Sequence, residues 1–244
     1  MDLQLKDRVY VVTGGSRGLG RATVDALVAE GARAVVSGRS EESLAGVRRE
    51  HGDAVRTVVA DNADPETAPG LVRVARDTFG RIDGALISVG GPPSGPVGEA
   101  SDEQWRRSFE SVFLGALRVA REVAAALSEG GSIAFVLSSS VKIPIPELGL
   151  SNGLRPGLAM AAKSLADEYG PRGIRVNGLM PGRIMTDRMQ ETGLAFDGEP
   201  PEVPLRRYGR PAEFGSVAAF LLSPASSYVS GAMVPVDGGM LRSL

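Results

Sequence analysis

Residues 9–20 read VYVVTGGSRGLG, and this stretch decides the fold. The apolar, β-branched run Val9–Val12 suits a buried strand. It breaks at Thr13-Gly14-Gly15 and hands over to a helix near Gly18-Leu19-Gly20. Small residues at Gly14, Ser16, Gly18 and Gly20 let the backbone come close to an anionic ligand, while Leu19 begins the apolar face of the helix. The start of that helix offers unpaired N–H groups and the positive end of its dipole. Arg17 adds a full charge inside the loop. A glycine-rich turn alone has little meaning. This one follows a strand, opens a helix and begins a repeating pattern, the context in which it reads as a cradle for the pyrophosphate of a dinucleotide.

Working outward, short apolar runs recur at Arg8–Val12, Ala34–Ser37, Val55–Ala60, Gly84–Val89, Ser132–Ser138, Ile174–Met180 and Met233–Val236. Stretches of helical spacing alternate with them: Gly20–Glu30, Ser40–His51, Ala63–Phe79, Asp102–Leu127 and Leu154–Tyr169. Alternation of this kind implies right-handed crossovers and a parallel sheet. The nearly continuous apolar character of the strands implies helices on both faces. The expectation is an α/β protein, a Rossmann-type doubly wound sheet of seven parallel strands, forming one domain over 1–244. The least regular stretch, about 186–211, contains Gly193, Gly198 and several prolines, and is a candidate lid.

Composition narrows the function classes. Lys+Arg number 27 against 29 Asp+Glu in 244 residues, so no basic footprint for nucleic acid or an acidic membrane surface stands out. Cysteine is absent, which excludes disulfide and thiolate chemistry. No apolar run is long enough for a bilayer span, and the N-terminus MDLQLKDRVY lacks a signal-peptide core. A cytoplasmic protein acting on a small molecule is expected, with no nucleic-acid or membrane partner. No residues show metal-ligand spacing, and His51, the single histidine, reads as a helix-end or surface residue.

In doubly wound sheets ligands bind beyond the carboxyl ends of the strands. The segments to read are therefore 14–20, 37–39, 61–62, 90–95, 138–146 and 181–186. At Ser37-Gly38-Arg39 the second strand ends without an acidic residue. A carboxylate there would accept from a ribose 2′-hydroxyl and repel a 2′-phosphate. Arg39, with Arg17, can instead pair with that phosphate, which favours NADP over NAD. The alternative for Arg39 is a solvated residue at a helix start.

Several motifs in order resemble the short-chain dehydrogenase/reductases over essentially the whole chain, most closely the 3-oxoacyl-carrier-protein reductase branch. They are Thr13–Gly20, Asp61-Asn62, Gly90-Gly91, the helix around Trp105, Arg175-Val176-Asn177 leading to Pro181-Gly182, and Val236-Asp237-Gly238-Gly239. The resemblance implies an oxidoreductase using a nicotinamide dinucleotide. It also implies Asp61 and Asn62 at the adenine, Gly90 beside the ribose, and Ile184 and Thr186 near the carboxamide and phosphates. A homo-oligomer, tetramer or dimer, is implied too. The small residues of Asp102–Leu127 and Leu154–Tyr169 fit such helix faces, or simply reflect helix propensity.

The family's catalytic Tyr, Lys and Asn are missing. Counted back from Lys163-Ser164-Leu165-Ala166, the Tyr position falls on Ser151, the Lys position on Arg155 and the family's Ser on Ser138. The Asn position, set by Trp105 and Gly115, falls on Val112. A serine hydroxyl is a far weaker acid than a phenol, whose pKa is about 10. Arg155 stays charged, has five N–H donors for a ribose diol, and lowers a neighbouring hydroxyl's pKa, though hardly enough to make Ser151 a proton donor at neutral pH. The segment 138–147 (SSSVKIPIPE) suggests a replacement: Lys142 or Glu147 giving the proton, with Ser138 or Ser140 orienting the substrate, unless Lys142 is merely a solvated loop residue. Gly90–Pro96 either shapes a pocket or is a rigid connection. Two functions compete: an NADP(H)-dependent reductase or dehydrogenase of carbonyl/hydroxyl compounds with a non-standard proton donor, and a catalytically inactive cofactor-binding or regulatory protein on the same scaffold.

Overall fold

The computed structural model describes residues 1–127, 130–187, 189 and 202–243. Seven strands form one sheet: β1 (Val9–Thr13), β2 (Arg33–Gly38), β3 (Val55–Val59), β4 (Gly84–Ile87), β5 (Gly131–Val136), β6 (Ile174–Pro181) and β7 (Met233–Val236). Their order is β3-β2-β1-β4-β5-β6-β7, and every neighbouring pair is parallel. The order reverses direction between β1 and β4, which opens a crevice at their carboxyl ends. Around the sheet lie α1 (Gly18–Ala29), α2 (Glu41–His51), α3 (Thr67–Phe79), α4 (Asp102–Ser108), α5 (Gly115–Ala126), α6 (Gly149–Tyr169) and α7 (Pro211–Leu222).

Strand alternation sends side chains to two cores. Val9 and Val11 pack with Leu71, Val119, Val123 and Leu158 from α3, α5 and α6. Tyr10 and Val12 pack with Val24, Leu27, Leu44 and Phe214 from α1, α2 and α7. Each fully buried Val, Leu or Ile contributes about 1.5–3 kcal/mol relative to exposure, so the two-sided burial of β1 is a large local term. Burial fades at the sheet edges. β3 is half-buried beyond Val55 and exposed at Val59, and β7 is half-buried with Pro235 exposed, because each edge strand has a neighbour on one side only.

Two helices depart from the sequence expectation. The stretch read as one helix from Asp102 is α4, then a π-helical segment Phe109–Leu114, then α5. Ser101 and Gln104 cap α4 reciprocally. The other is α6, which begins at Gly149, five residues before the expected Leu154, and runs through Pro156. A tertiary contact holds its first turn, the Gly149 N–H donating to Gly95 O at 2.9 Å, while the Asn152 N–H makes the first helical bond to Leu148 O at 2.8 Å. No helix among the described residues is long and apolar enough to cross a membrane. Half of the lid expected at about 186–211, positions 188 and 190–201, lies outside the described residues. Its returning end is tied down, with the Met185 N–H donating to Gly209 O at 2.9 Å.

Candidate active site and cofactor cleft

A cleft of about 680 Å³ opens at the carboxyl ends of the strands. The turn after β1 supplies its first wall, with Gly14, Ser16, Arg17, Gly18, Leu19 and Gly20 all lining it. Gly14 has φ +58°, and a Cβ on Gly20 would lie 2.3 Å from the Gly14 carbonyl oxygen, so the turn closes onto the helix start only with glycine at position 20. The side chain of Arg17, the residue preceding α1, makes no capping hydrogen bond, and the first turn of α1 holds no acidic residue. A backbone cradle of this form, with a helix N-terminus behind it, fits a pyrophosphate.

Thr13 locks the switch point. Its hydroxyl donates to Ser88 O at 2.9 Å and accepts from the Ser88 N–H at 3.0 Å, tying the ends of β1 and β4 together. Beyond β2, Arg39 lines the cleft, and its Nη2 lies 3.9 Å from where a Gly90 Cβ would stand. Asp61 and Asn62 after β3, Gly90 after β4, Pro181 at the end of β6 and Thr186 beyond it also line it. These residues fit a nicotinamide dinucleotide, which when bound supplies or accepts a hydride.

At the other end of the cleft the three consecutive serines after β5 diverge. Ser138 lines the cleft, and its hydroxyl oxygen accepts the Ser140 N–H at 3.1 Å. Ser139 donates to Pro181 O at 2.9 Å and pins the turn to β6. Ser140 turns to α6, its hydroxyl 3.2 Å from that of Ser151. Ser151 and Arg155 are both buried and both line the cleft. The Arg155 guanidinium donates to the main-chain oxygens of Val136 and Val89, bridging the ends of β5 and β4. None of the tyrosines lines the cleft; Tyr10, for one, lies in the core and donates to Leu222 O at 3.1 Å.

Some expected site residues stand apart. Lys142 is solvent-exposed and outside the cleft lining, so the burial that would have made it a proton donor is missing. The short 3-10 turn Ser139–Val141 carries it outward. Glu147 is exposed too. Ile184 is buried in a bridge to Gly209, and Gly182 packs against Asp237, where a Cβ would lie 2.5 Å from the Asp237 Cβ; neither lines the cleft. Val112 is buried in the π-helical segment, whose neighbour Ser111 does line the cleft.

Contributors that the sequence reading missed include Ser111, Leu148 and Asp187 in the lining and Asn152 behind it. Leu148 forms an apolar part of the wall. Asn152 clamps the loop before it, its side chain accepting the Ile145 N–H at 3.0 Å and donating to Ile145 O at 2.8 Å. The Gly95 N–H donates to Glu147 O at 2.7 Å, so the loop after β4 and the loop before α6 are stapled into one rigid wall. Asp25, Glu50 and His51 also come together from α1 and α2. Arg21 pairs with both carboxylates there, and His51 Nε2 lies 2.7 Å from Asp25 Oδ1, which makes this a helix-to-helix ion-pair network.

Comparison with known proteins agrees with this architecture. A family profile described as enoyl-(acyl carrier protein) reductase matches residues 14–241. The chain is 35% identical to levodione reductase of Leifsonia aquatica, over 96% of this chain and 94% of that one. It superposes on L-sorbose reductase of Gluconobacter frateurii, a structure with NADPH and L-sorbose, at TM-score 0.92 and 30% identity, covering 100% of both chains. It also superposes on a short-chain oxidoreductase of Pseudomonas aeruginosa described as containing an atypical catalytic centre, at TM-score 0.90 and 26% identity, covering 98% of this chain and 99% of that one. Motif order, sheet topology, cleft and relatives agree: the chain belongs to the short-chain dehydrogenase/reductase family of oxidoreductases.

Proposed function

We propose that this protein is an NADP(H)-dependent oxidoreductase that interconverts a carbonyl and a hydroxyl group without the family's tyrosine. The observation that carries the reading is the cleft itself. It joins an intact glycine-rich cradle and Arg39 at one end to Ser138, Ser151 and Arg155 at the other. Arg17 and Arg39 are the partners for a 2′-phosphate, since the end of β2 holds no carboxylate. Asp61, Asn62, Gly90, Pro181 and Thr186 hold the remainder of the cofactor. Ser138 orients the substrate oxygen. The hydroxyl pair Ser140–Ser151 moves the proton, and Arg155 adds positive charge beside it. The NADPH-bound L-sorbose reductase and the relative with an atypical centre support the cofactor and the altered proton route respectively.

The motif set supports a place near the 3-oxoacyl-carrier-protein reductase branch. Met160 on α6, 69% exposed, supports self-association, which light scattering reads directly. The deciding test of function is a titration with NADPH and NADH followed by nicotinamide fluorescence, then NADPH consumption across ketones. Tight NADPH binding, weaker NADH binding and turnover lost in Arg17→Glu are the expected results. Absence of binding for both cofactors overturns the proposal.

A further inference from the structure

Pro144 and Pro146 flank Ile145 in the loop that enters α6, so within 144–146 only Ile145 keeps a main-chain N–H. Burial does little to hold this loop, since Lys142, Ile143, Pro144, Pro146 and Glu147 are all exposed. The 3-10 turn before it reaches no further than Ile143, whose N–H donates to Ser139 O at 3.3 Å. Glu147 has φ +60°, in the left-handed region that residues other than glycine seldom adopt, so the loop keeps its shape only if something outside it ties it down. Asn152 supplies that tie. Its side chain accepts the Ile145 N–H at 3.0 Å and donates to Ile145 O at 2.8 Å, an acceptor and a donor matched to both polar groups of one residue. Ile145 O also accepts the Leu148 N–H at 3.2 Å. From there the tie passes to the loop after β4, where the Gly95 N–H donates to Glu147 O and Gly95 O accepts the Gly149 N–H. Leu148 on one loop and Pro92 and Ser94 on the other line the cleft, and Asn152 does not.

Asn152 follows Ser151 on α6, about 100° further round the helix. One helical turn therefore carries both a hydroxyl of the cleft and the anchor of the wall. We propose that Asn152 is a positioning residue for the substrate. It touches neither substrate nor cofactor, and it holds Leu148, Pro92 and Ser94 at a fixed span from Ser138 and Ser151. The cradle at 14–20 and Arg39 follow β1 and β2 and belong to neither loop, so loss of the tie reaches the substrate and spares the dinucleotide. The kinetic half of this inference rests on the oxidoreductase reading. The anchor rests on the hydrogen bonds alone.

The test compares the parent with Asn152→Leu, similar in size and unable to make either bond, and with Asn152→Asp. Amide hydrogen exchange read by NMR needs no substrate. In Asn152→Leu the amides of Ile145, Leu148, Gly149 and Gly95 are expected to exchange together at least about tenfold faster, while those of 14–20 keep the parent rate and NADPH affinity stays within about twofold. With NADPH and a ketone probe, cyclohexanone or dihydroxyacetone, KM is expected to rise at least about tenfold and kcat to change by less than about threefold. Asn152→Asp keeps the acceptor, but its ionised form sets a second oxygen against Ile145 O, and only its protonated form donates there. Its KM is expected to fall back toward the parent value as pH is lowered from about 8 to about 5, a recovery that Asn152→Leu lacks, and this variant decides the matter if Asn152→Leu does not fold. Faster exchange confined to Ile145, or a loss that falls on kcat instead of KM, overturns the inference and leaves the oxidoreductase reading standing. Coupled exchange of both loops in a protein that consumes NADPH with no ketone sustains the anchor and overturns the oxidoreductase reading.

Discussion

The hydroxyl oxygens of Ser140 and Ser151 lie 3.2 Å apart and join the turn after β5 to the first turn of α6 at the inner end of the cleft. Neither residue has a phenol's acidity. As a pair they can pass a proton only in concert, one donating while the other accepts. Ser140→Ala and Ser151→Ala are therefore expected to lower kcat by a similar factor, about a hundredfold for a positioned proton-transfer group. The double variant is expected to be little worse than either single one. Lys142→Met, exposed and outside the cleft, is expected to turn over at the parent rate. Steady-state rates of the four variants check this, and strictly additive losses would separate the two serines.

Arg39 lines the cleft where β2 ends, across from Gly90. Arg39→Asp is expected to weaken NADPH by about ten- to a hundredfold, the range of a lost charge-assisted hydrogen bond. NADH affinity is expected to hold or improve, because the new carboxylate can accept from a 2′-hydroxyl. Fluorescence titration of both cofactors reads the ratio. Equal loss for both would remove Arg39 from phosphate recognition.

Gly149 sits where the two stapled loops meet. A Cβ there would lie 2.7 Å from Val97 N and 3.0 Å from Gly95 O, both backbone atoms that cannot swing away. Gly149→Ala is expected to cost about 1–3 kcal/mol by overpacking. It is also expected to raise KM more than it lowers kcat, since the wall carrying Leu148 shifts while the serines stay. Urea denaturation and steady-state kinetics measure the two effects separately.

Tyr10 is buried in the sheet, and burial together with the charge of Asp83 pushes its phenol above the ordinary value of 10.0. Since the folded value lies above the unfolded one, its contribution to stability is whole below pH about 10 and falls as pH rises past it. Tyr10→Phe removes the hydrogen bond to Leu222 O and is expected to cost about 1 kcal/mol at neutral pH. The deficit is expected to shrink above pH about 10, where the parent must keep a phenol protonated that the unfolded chain would ionise. Denaturant midpoints at the two pH values check the sign.

Much of the fold is legible in the chain because strand burial and glycine-rich turns are local signals. All seven strands lie where the apolar runs place them, and the turn after β1 lines the cleft as its composition requires. The helices were less legible. The start of α6 is hidden by Gly149, Gly153 and Pro156, residues of poor helix propensity, and it is held by Gly95 O, which accepts the Gly149 N–H from across the cleft wall. The π-helical segment at Phe109–Leu114 leaves no periodic trace that would separate it from α4 and α5.

The order of β and α segments, the glycine-rich turn at 14–20, the missing acid after β2 and the scarcity of tyrosines are all legible in the chain, because each is a matter of residue type at a fixed spacing. Which polar groups meet depends on the packing of elements distant in the chain. Lys142 and Ser140 are two residues apart, yet a single 3-10 turn sends the lysine to solvent and the serine to Ser151. Arg155, readable from the chain as a ribose ligand, gains its fixed position from the carbonyls of Val136 at the end of β5 and Val89 just past β4. Contacts between residues 19 and 66 positions apart are set by how the sheet and α6 pack, and no local pattern in the chain encodes them.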